Sequence, residues 1–357
     1  MPQPAKEWPR IFSHQIEDVL ELELPSGNVV FLQGPPSSVK SVSCRNFAQK
    51  FRLFPIDVRI PQMQSEDLLG FPRIGESEDG RDVSQYVPFD FLPIESTPIP
   101  KGYDGFIIIW DEVNATNDDS VIAAMYKVLQ EKEVGPYRLH PKTFQVACGN
   151  LIGDGAIAYE LGTAFNTRVA QYVVQPSAEG LVKHARANNW DTRITSYLDW
   201  KPSHAHYMDP DTFDSQLTHA CNRQWENLNK VLQRDPQITE STFAHPVIKS
   251  KLDIEVGNSF LAYCAYWTKL PTIEQIKLNP ATARLPDSPG AKVATAASLA
   301  EQMADEENIP FIIQYMERLE KEYQTVWVRE ACQRNESLLM HPKMQPYKAK
   351  FAKELYQ

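Results

Sequence analysis

Paired cysteines are the first feature that this sequence lacks. It has only five cysteines in 357 residues, they are scattered, and no two of them form a C-x-x-C pair. Disulfide-stapled secreted domains and zinc ribbons need dense or paired cysteines, so both classes are excluded. The sequence instead predicts reduced, buried thiols in a cytoplasmic protein.

Long hydrophobic runs and an excess of positive charge are also absent. The longest apolar run is Phe106–Trp110, whereas a membrane-spanning helix needs about 20 residues. The first ten residues contain no apolar core of the kind that a signal peptide has. Lys and Arg total 36 against 46 for Asp and Glu, a net charge of −10, which argues against a nucleic-acid-coating protein. We therefore expect neither a membrane nor a nucleic acid as a partner.

The sequence does contain alternating strand-like and helix-like segments up to about residue 175. A helix is predicted from Lys40 and another over 121–130, and the predicted strands are 28–33, 54–60, 105–110, 143–148 and 169–174. Strands that alternate with helices indicate an α/β fold with a parallel sheet and helices on its faces. The Pro-, Gly- and acid-rich segment 61–104 is predicted to be an insert.

After Pro176 helix-like segments dominate, with breaks at 208–211 and 278–280. The predicted helices are 178–188, 191–199, 222–233, 255–268, 291–304 and 308–334. We therefore predict three parts: a core over 1–175, an all-helical lid over 176–270 and a helical C-terminal extension over 271–357.

A Gly/Pro/Ser loop between the first inner strand and a helix is the first candidate site. Backbone N–H groups and a helix N-terminus favour a polyphosphate, with Lys40 as a point charge on phosphate and the Ser41 hydroxyl as a magnesium ligand. A standard phosphate-binding loop has glycine where Val39 stands, so we expect Val39→Gly to relieve strain and tighten ATP binding. An ordinary Pro/Ser turn followed by a lysine is the alternative. The predicted phosphate-binding residues are Gly34, Pro35, Pro36, Ser37, Ser38, Val39, Lys40 and Ser41.

Polar residues at the ends of the later strands form the second candidate group. Asp111 could hold hydrated Mg²⁺ and Glu112 could polarise an attacking water. Asn150 could orient that water or the γ-phosphate, and Arg168 could point into the site of a neighbouring subunit. The plain alternatives are that Asp111 and Glu112 are two acids at the surface end of a strand, that Gly149-Asn150 is a common turn, and that Arg168 is a surface charge. His204 and His206, with His184 and His219 nearby in sequence, are predicted to be surface histidines rather than metal ligands.

Together these segments resemble the MoxR-type members of the AAA+ ATPases of bacteria and phages, over nearly the whole chain. Gly34-Pro-Pro with Lys40-Ser41 is similar to the Walker A loop, and Ile107–Ala115 is similar to the Walker B segment. The resemblance implies an αβα P-loop core. Further motifs resemble sensor 1 (Asn150), the arginine finger (Arg168), sensor 2 (Arg223), the start of the helix-2 insert (Asp57–Gly70) and the pre-sensor 1 hairpin (Glu133–His140).

The resemblance implies an ATPase that remodels or assembles a partner protein in the cytoplasm of a bacterium or a phage-infected cell. ATP and Mg²⁺ are the implied ligands, with Ser41 and Asp111 on the metal through water, Arg223 acting from the lid and Arg168 from the adjacent protomer. A homo-oligomeric ring, expected to be a hexamer, and a von Willebrand factor A-domain partner are also implied. The alternative function is a weak or inactive scaffold that binds nucleotide poorly because of Ser37 and Val39.

Overall fold

The computed structural model describes residues 8–76, 79–152, 157–207 and 217–351. It divides the chain into two units, Met1–Pro176 and Ser177–Gln357. The predicted break at 208–211 lies outside the described residues.

The first unit is built on a parallel sheet. The described strands of this unit are β1 (Arg10–Phe12), β2 (Val30–Gln33), β3 (Leu53–Arg59), β4 (Phe71–Glu76), β5 (Asp82–Val87), β6 (Gly105–Asp111), β7 (Glu133–Val134), β8 (Tyr137–Arg138), β9 (Thr143–Gly149) and β10 (Ala170–Gln175). The parallel sheet has the order β1-β10-β2-β9-β6-β3. Two antiparallel hairpins, β4–β5 and β7–β8, lie outside that sheet.

Helices cover both faces of this sheet because the inner strands are apolar on both sides. The described helices of this unit are α1 (Ile16–Glu23), α2 (Lys40–Lys50), α3 (Ser65–Leu69), α4 (Asp119–Glu131) and α5 (Gly162–Asn166). In β6, Ile107 and Ile109 pack into one buried cluster with residues of α1 and α2, whereas Ile108 and Trp110 pack into the other with residues of α4 and α5. Burial on both faces is typical of parallel strands.

The described part of the second unit is helical. Its helices are α6 (Ala178–Ala187), α7 (Thr192–Trp200), α8 (Asn222–Arg234), α9 (Ala244–Lys249), α10 (Ile254–Trp267), α11 (Ile273–Leu278), α12 (Pro289–Gln302), α13 (Ile309–Met316), α14 (Lys321–Arg334) and α15 (Gln345–Lys350). One buried cluster runs from Leu181 to Phe351 and includes residues from both the predicted lid and the predicted extension. The α/β fold followed by a helical region is therefore confirmed, while the boundary near residue 270 remains a prediction.

Three sequence-based expectations can be compared directly with the structure. The helix predicted over 308–334 is wrong as one element: it is α13 and α14, separated at 317–320, where the buried Gln324 amide donates to the Leu319 carbonyl at 2.8 Å. His204 is buried rather than on the surface, and its Nδ1 lies 2.6 Å from the Tyr197 hydroxyl. All five cysteines are buried free thiols, as predicted.

In the described ranges, every helix is too short or too polar to cross a bilayer.

Candidate nucleotide-binding site

The loop that follows β2 begins at a glycine held between two neighbouring strands. The Gly34 N–H donates to the Gly149 carbonyl at 3.3 Å. A Cβ atom at Gly34 would lie 2.6 Å from the Val174 carbonyl oxygen, which is closer than any side chain tolerates. Glycine is therefore required here by the close approach of β10, and the loop emerges at the carboxyl edge of the sheet, where ligand sites of α/β folds lie.

Lys40 is buried inside this loop. Its ammonium donates to the Gly34 carbonyl at 2.8 Å, to the Pro35 carbonyl at 3.0 Å and to the Ser38 hydroxyl at 3.1 Å. The loop thus folds around a positive charge at the first residue of α2. In the described part of the chain, the first N–H groups of α2 have no side-chain cap. A positive charge and uncapped N–H groups at the start of a helix together favour an anion.

Two residues of the loop adopt backbone angles that suit glycine. Ser37 has φ 63°, and Val39 has φ 59° and ψ 14°, in the left-handed region. For a β-branched residue such a conformation is strained, at a cost of about 1–3 kcal/mol. Ser37 and Val39 therefore stand at two loop positions where glycine would adopt the same backbone angles without strain.

The acidic end of β6 meets the start of α2. The Ser41 hydroxyl donates to one carboxylate oxygen of Asp111 at 2.9 Å, and the other oxygen of Asp111 accepts from the Glu112 N–H at 3.1 Å. A hydroxyl and a carboxylate are hard oxygen donors, and Mg²⁺ typically takes only one or two protein ligands alongside phosphate oxygens and water. The pair therefore fits magnesium. Across the described residues there is no cluster of three or more His, Cys, Asp or Glu suited to a metal.

Glu112 is exposed and begins a turn. Its backbone is left-handed, with φ 57°, and its carbonyl accepts from the Ala115 N–H at 2.9 Å. Strained backbone of this kind persists where the surrounding structure enforces it, and it is common at functional sites. The turn sets where the Glu112 side chain leaves the end of β6.

Asn114, which we did not single out in the sequence, holds the end of the neighbouring strand. Its side-chain amide donates to the Asn150 carbonyl at 2.8 Å, and its side-chain oxygen accepts from the Asn150 N–H at 3.0 Å. Asn114 is buried, and a Cβ atom at Gly149 would lie only 2.6 Å from its oxygen. This pair of bonds fixes Asn150 beside the turn that carries Glu112. The only sequence signal was the position of Asn114 two residues after Glu112.

Arg168 lies at the amino ends of the parallel strands, opposite the carboxyl ends where the Lys40 loop lies. It precedes β10, whose first residue Ala170 pairs with Val30 at the start of β2, whereas the Lys40 loop follows the end of β2. At about 3.3 Å per residue, four residues of strand separate the two edges by roughly 13 Å. The structure therefore brings together the Gly34–Ser41 loop, Asp111, Glu112 and Asn150, but not Arg168.

Arg223 belongs to the second unit. It is exposed in the first turn of α8. Its action on nucleotide from the lid stays a prediction.

Comparisons with known proteins found similar solved structures, and those described below have low identity to this chain. No protein-family model and no curated protein matches the chain. NtrX from Brucella abortus is 14% identical over 96% of this chain and 67% of its own, with a TM-score of 0.36. Two RuvB mutants from Thermotoga maritima are 13% and 12% identical, cover 85% and 87% of this chain and 88% and 85% of theirs, and have TM-scores of 0.40 and 0.38. Similarity at this level does not assign the chain to a family.

Proposed function

We propose that this chain is a MoxR-like AAA+ ATPase that hydrolyses ATP to drive the remodelling or assembly of a partner protein. The contact between Ser41 and Asp111 is the observation that carries the proposal. It joins the loop that suits a polyphosphate to the acidic strand end that suits a magnesium ion, although the two residues lie 70 positions apart in the sequence. An ordinary Pro/Ser turn would not need this partner.

In the proposed reaction the residues at the carboxyl ends of the strands bind ATP and activate the attacking water. Phosphate oxygens are charged acceptors and bind an ammonium more strongly than neutral carbonyls do, so Lys40 can exchange loop carbonyls for ATP. Mg²⁺, held by Ser41 and Asp111, supplies charge neutralisation on the phosphates when bound. Asn150 positions the attacking water, and Glu112 accepts a proton from it as the water oxygen bonds to the γ-phosphorus and the bond from that phosphorus to the ADP oxygen breaks.

Two arginines complete the proposed site. Arg168 cannot reach the Lys40 loop of its own chain, because it lies at the other edge of the sheet. We therefore assign it to the site of an adjacent copy in a ring, proposed to be a hexamer. Arg223 would act on the nucleotide from the helical unit. A von Willebrand factor A-domain protein is proposed as the partner, and the cytoplasm of a bacterium or phage-infected cell as the location.

A scaffold with weak or absent turnover is the second candidate function. The left-handed Ser37 and Val39 and the three contacts of the Lys40 ammonium within its own loop favour it. Nucleotide would then have to displace existing contacts at a loop already under strain. Such a protein would keep the fold without the chemistry.

ATP turnover by the purified full chain with Mg²⁺ separates the two functions. We expect Glu112→Gln to lower kcat by at least about 10²-fold, in line with loss of a general base, and to leave the affinity for a fluorescent ATP analogue within about twofold. Glu131→Gln, at the exposed end of α4, is the matched control and should not change turnover. Absence of turnover in the wild-type chain at every concentration, with nucleotide bound, would favour the scaffold.

A further inference from the structure

Arg168 is exposed, but its side chain is bound to the short helix that precedes it. Its guanidinium donates to the Ala164 carbonyl at 2.5 Å, and its backbone N–H donates to the Phe165 carbonyl at 2.9 Å. A small hollow beside it is lined by Tyr126 and Phe165. Burial raises the pKa of Tyr126, while the Arg168 cation acts to lower it, which fits a guanidinium close to the phenol.

The aromatic pair is itself anchored to the central sheet. The rings of Tyr126 and Phe165 stack with centroids 5.5 Å apart, and Phe165 meets Phe31 edge to face at 5.0 Å. Phe31 lies in β2, the strand that leads into the Lys40 loop. The Tyr126 hydroxyl also donates to the Leu161 carbonyl at 2.5 Å, at the start of α5.

The short helix that precedes Arg168 has little stability of its own. α5 has five residues, and in the described chain no side chain caps its N-terminus. Isolated helices of this length are marginal in water. The position of α5, and with it that of Arg168, therefore depends on contacts with the rest of the core. The Tyr126 hydroxyl binds the Leu161 carbonyl at the start of α5, and Phe165, within α5, packs on Tyr126 and Phe31.

We infer that Tyr126 and Phe165 are positioning residues that hold Arg168 in the orientation it needs to enter the nucleotide site of the adjacent copy. The inference rests on the proposed function. A misplacement of about 1 Å in a catalytic group can cost about 10²-fold in rate, and an arginine finger supplies roughly 10³–10⁵-fold. Loss of the aromatic support should therefore weaken the rate without weakening nucleotide binding.

Mixed rings test this inference because they separate the copy that gives Arg168 from the copy that uses it. A Glu112→Gln chain gives an intact Arg168 but cannot hydrolyse at its own site, and an Arg168→Ala chain has an intact site but gives no arginine. Each alone should be inactive, and a mixture should recover turnover. Phe165→Leu or Tyr126→Phe is then added to one chain or the other.

We expect Phe165→Leu to lower the recovered turnover by about tenfold or more in the Glu112→Gln chain, and by less than about twofold in the Arg168→Ala chain, because only the first chain gives the arginine. Tyr126→Phe, which removes only the hydroxyl, should show the same asymmetry with a smaller drop. Phe144→Leu, in the cluster on the other face of the sheet, is the matched control and should act equally in both chains.

The outcomes also separate this inference from the proposed function. Equal losses for Phe165→Leu in the two chains would show a merely structural role and overturn the inference alone. No recovery in the mixture, with an active wild-type chain, would overturn the action of Arg168 on an adjacent site and the inference with it. An inactive wild-type chain would overturn the ATPase proposal, and with it the action of Arg168 on an adjacent site and the inference about Tyr126 and Phe165.

Discussion

Val39 is held in a left-handed backbone conformation by the contacts around it. The Lys40 ammonium binds two loop carbonyls and the Ser38 hydroxyl, and the Ser43 N–H donates to the Val39 carbonyl at 2.9 Å to begin α2. These bonds compensate a strain of about 1–3 kcal/mol at Val39. The strain is present in the loop as it stands, so its relief should be visible in folding stability as well as in nucleotide affinity.

Val39→Gly should raise the free energy of unfolding of the first unit by about 1 kcal/mol. Glycine removes the backbone strain at this position. Its greater conformational entropy in the unfolded chain cancels about 0.5–1 kcal/mol of the stability gained in this way. Urea denaturation measures the difference. Val42→Gly, at an exposed helical position of α2, is the control and should lower stability by about 0.5 kcal/mol. A loss of stability in Val39→Gly similar to that in Val42→Gly would contradict the strain at this position.

Asn114→Ala should lower both stability and turnover. The variant leaves the N–H and carbonyl of Asn150 without their present partners, and an unsatisfied buried polar group costs about 1–3 kcal/mol. Since Asn150 then loses its fixed place beside Glu112, we expect kcat to fall by about tenfold while the affinity for a fluorescent ATP analogue stays within about twofold. Asn117→Ala, at an exposed position nearby, should change neither quantity. Full activity in Asn114→Ala would show that Asn150 needs no such support.

The sequence predicts which residues meet at this site better than it predicts the hydrogen bonds that they make. Lys40, Ser41 and Asp111 could be placed at one edge because the carboxyl ends of parallel strands meet there. The inward fold of the Lys40 ammonium and the role of Asn114 could not be predicted. Both depend on backbone carbonyl and N–H groups, whose positions no residue pattern specifies.

At the scale of elements, a buried ion network joins helices from both ends of the second unit. The Arg186 guanidinium of α6 contacts Glu330 of α14 and Asp199 of α7, and its Nε lies 3.1 Å from a Glu330 oxygen. Burial acts to lower the pKa of Arg186, but Glu330 and Asp199 raise it overall. The predicted lid and extension are therefore tied together by charges as well as by their common core.

Arg186→Met should lower the free energy of unfolding by about 3–5 kcal/mol, because it leaves Glu330 and Asp199 with less compensation in a buried site. Adding Glu330→Leu should recover part of that loss, since a buried ion pair can be replaced by apolar residues at small net cost. Urea denaturation of the full chain measures both. The exposed pair of Lys230 and Glu226 gives the control: Lys230→Met should cost no more than about 0.5 kcal/mol. A similar small effect for Arg186→Met would mean that the network contributes little.

Elements with a strong hydrophobic period could be predicted, and those fixed by particular side chains could not. The strand over 105–110 and the helix over 121–130 correspond to β6 and α4 because their apolar residues face the core. The end of α13 depends on the Gln324 amide, and the burial of His204 depends on the Tyr197 hydroxyl. A polar side chain that finds its partner only in the folded state looks like a surface residue in a sequence.

At the scale of the whole molecule, the placement of the candidate site residues at opposite ends of the strands supports the proposed assembly. The Lys40 loop and Asp111 lie at the carboxyl edge, and Arg168 lies at the amino edge, roughly 13 Å away along the strands. A single copy cannot bring its own Arg168 to its own Asp111 without unpairing β10 from β2. The sequence alone could suggest that Arg168 serves a neighbour, and the strand register supports that proposal because it places Arg168 away from the Lys40 loop of its own chain.

Turnover per chain should therefore rise with protein concentration and level off once assembly is complete. Arg168→Ala should lower the plateau by at least about 10³-fold, as expected for loss of an arginine finger, with sedimentation velocity showing unchanged assembly and a fluorescent ATP analogue showing unchanged affinity. Arg138→Ala, an exposed arginine of the β7–β8 hairpin, is the control and should keep the wild-type plateau. If turnover per chain stays constant while sedimentation passes from single chains to assemblies, each copy completes its own site. The arginine that acts in the reaction must then be sought elsewhere in the same chain, with Arg223 as the first to test.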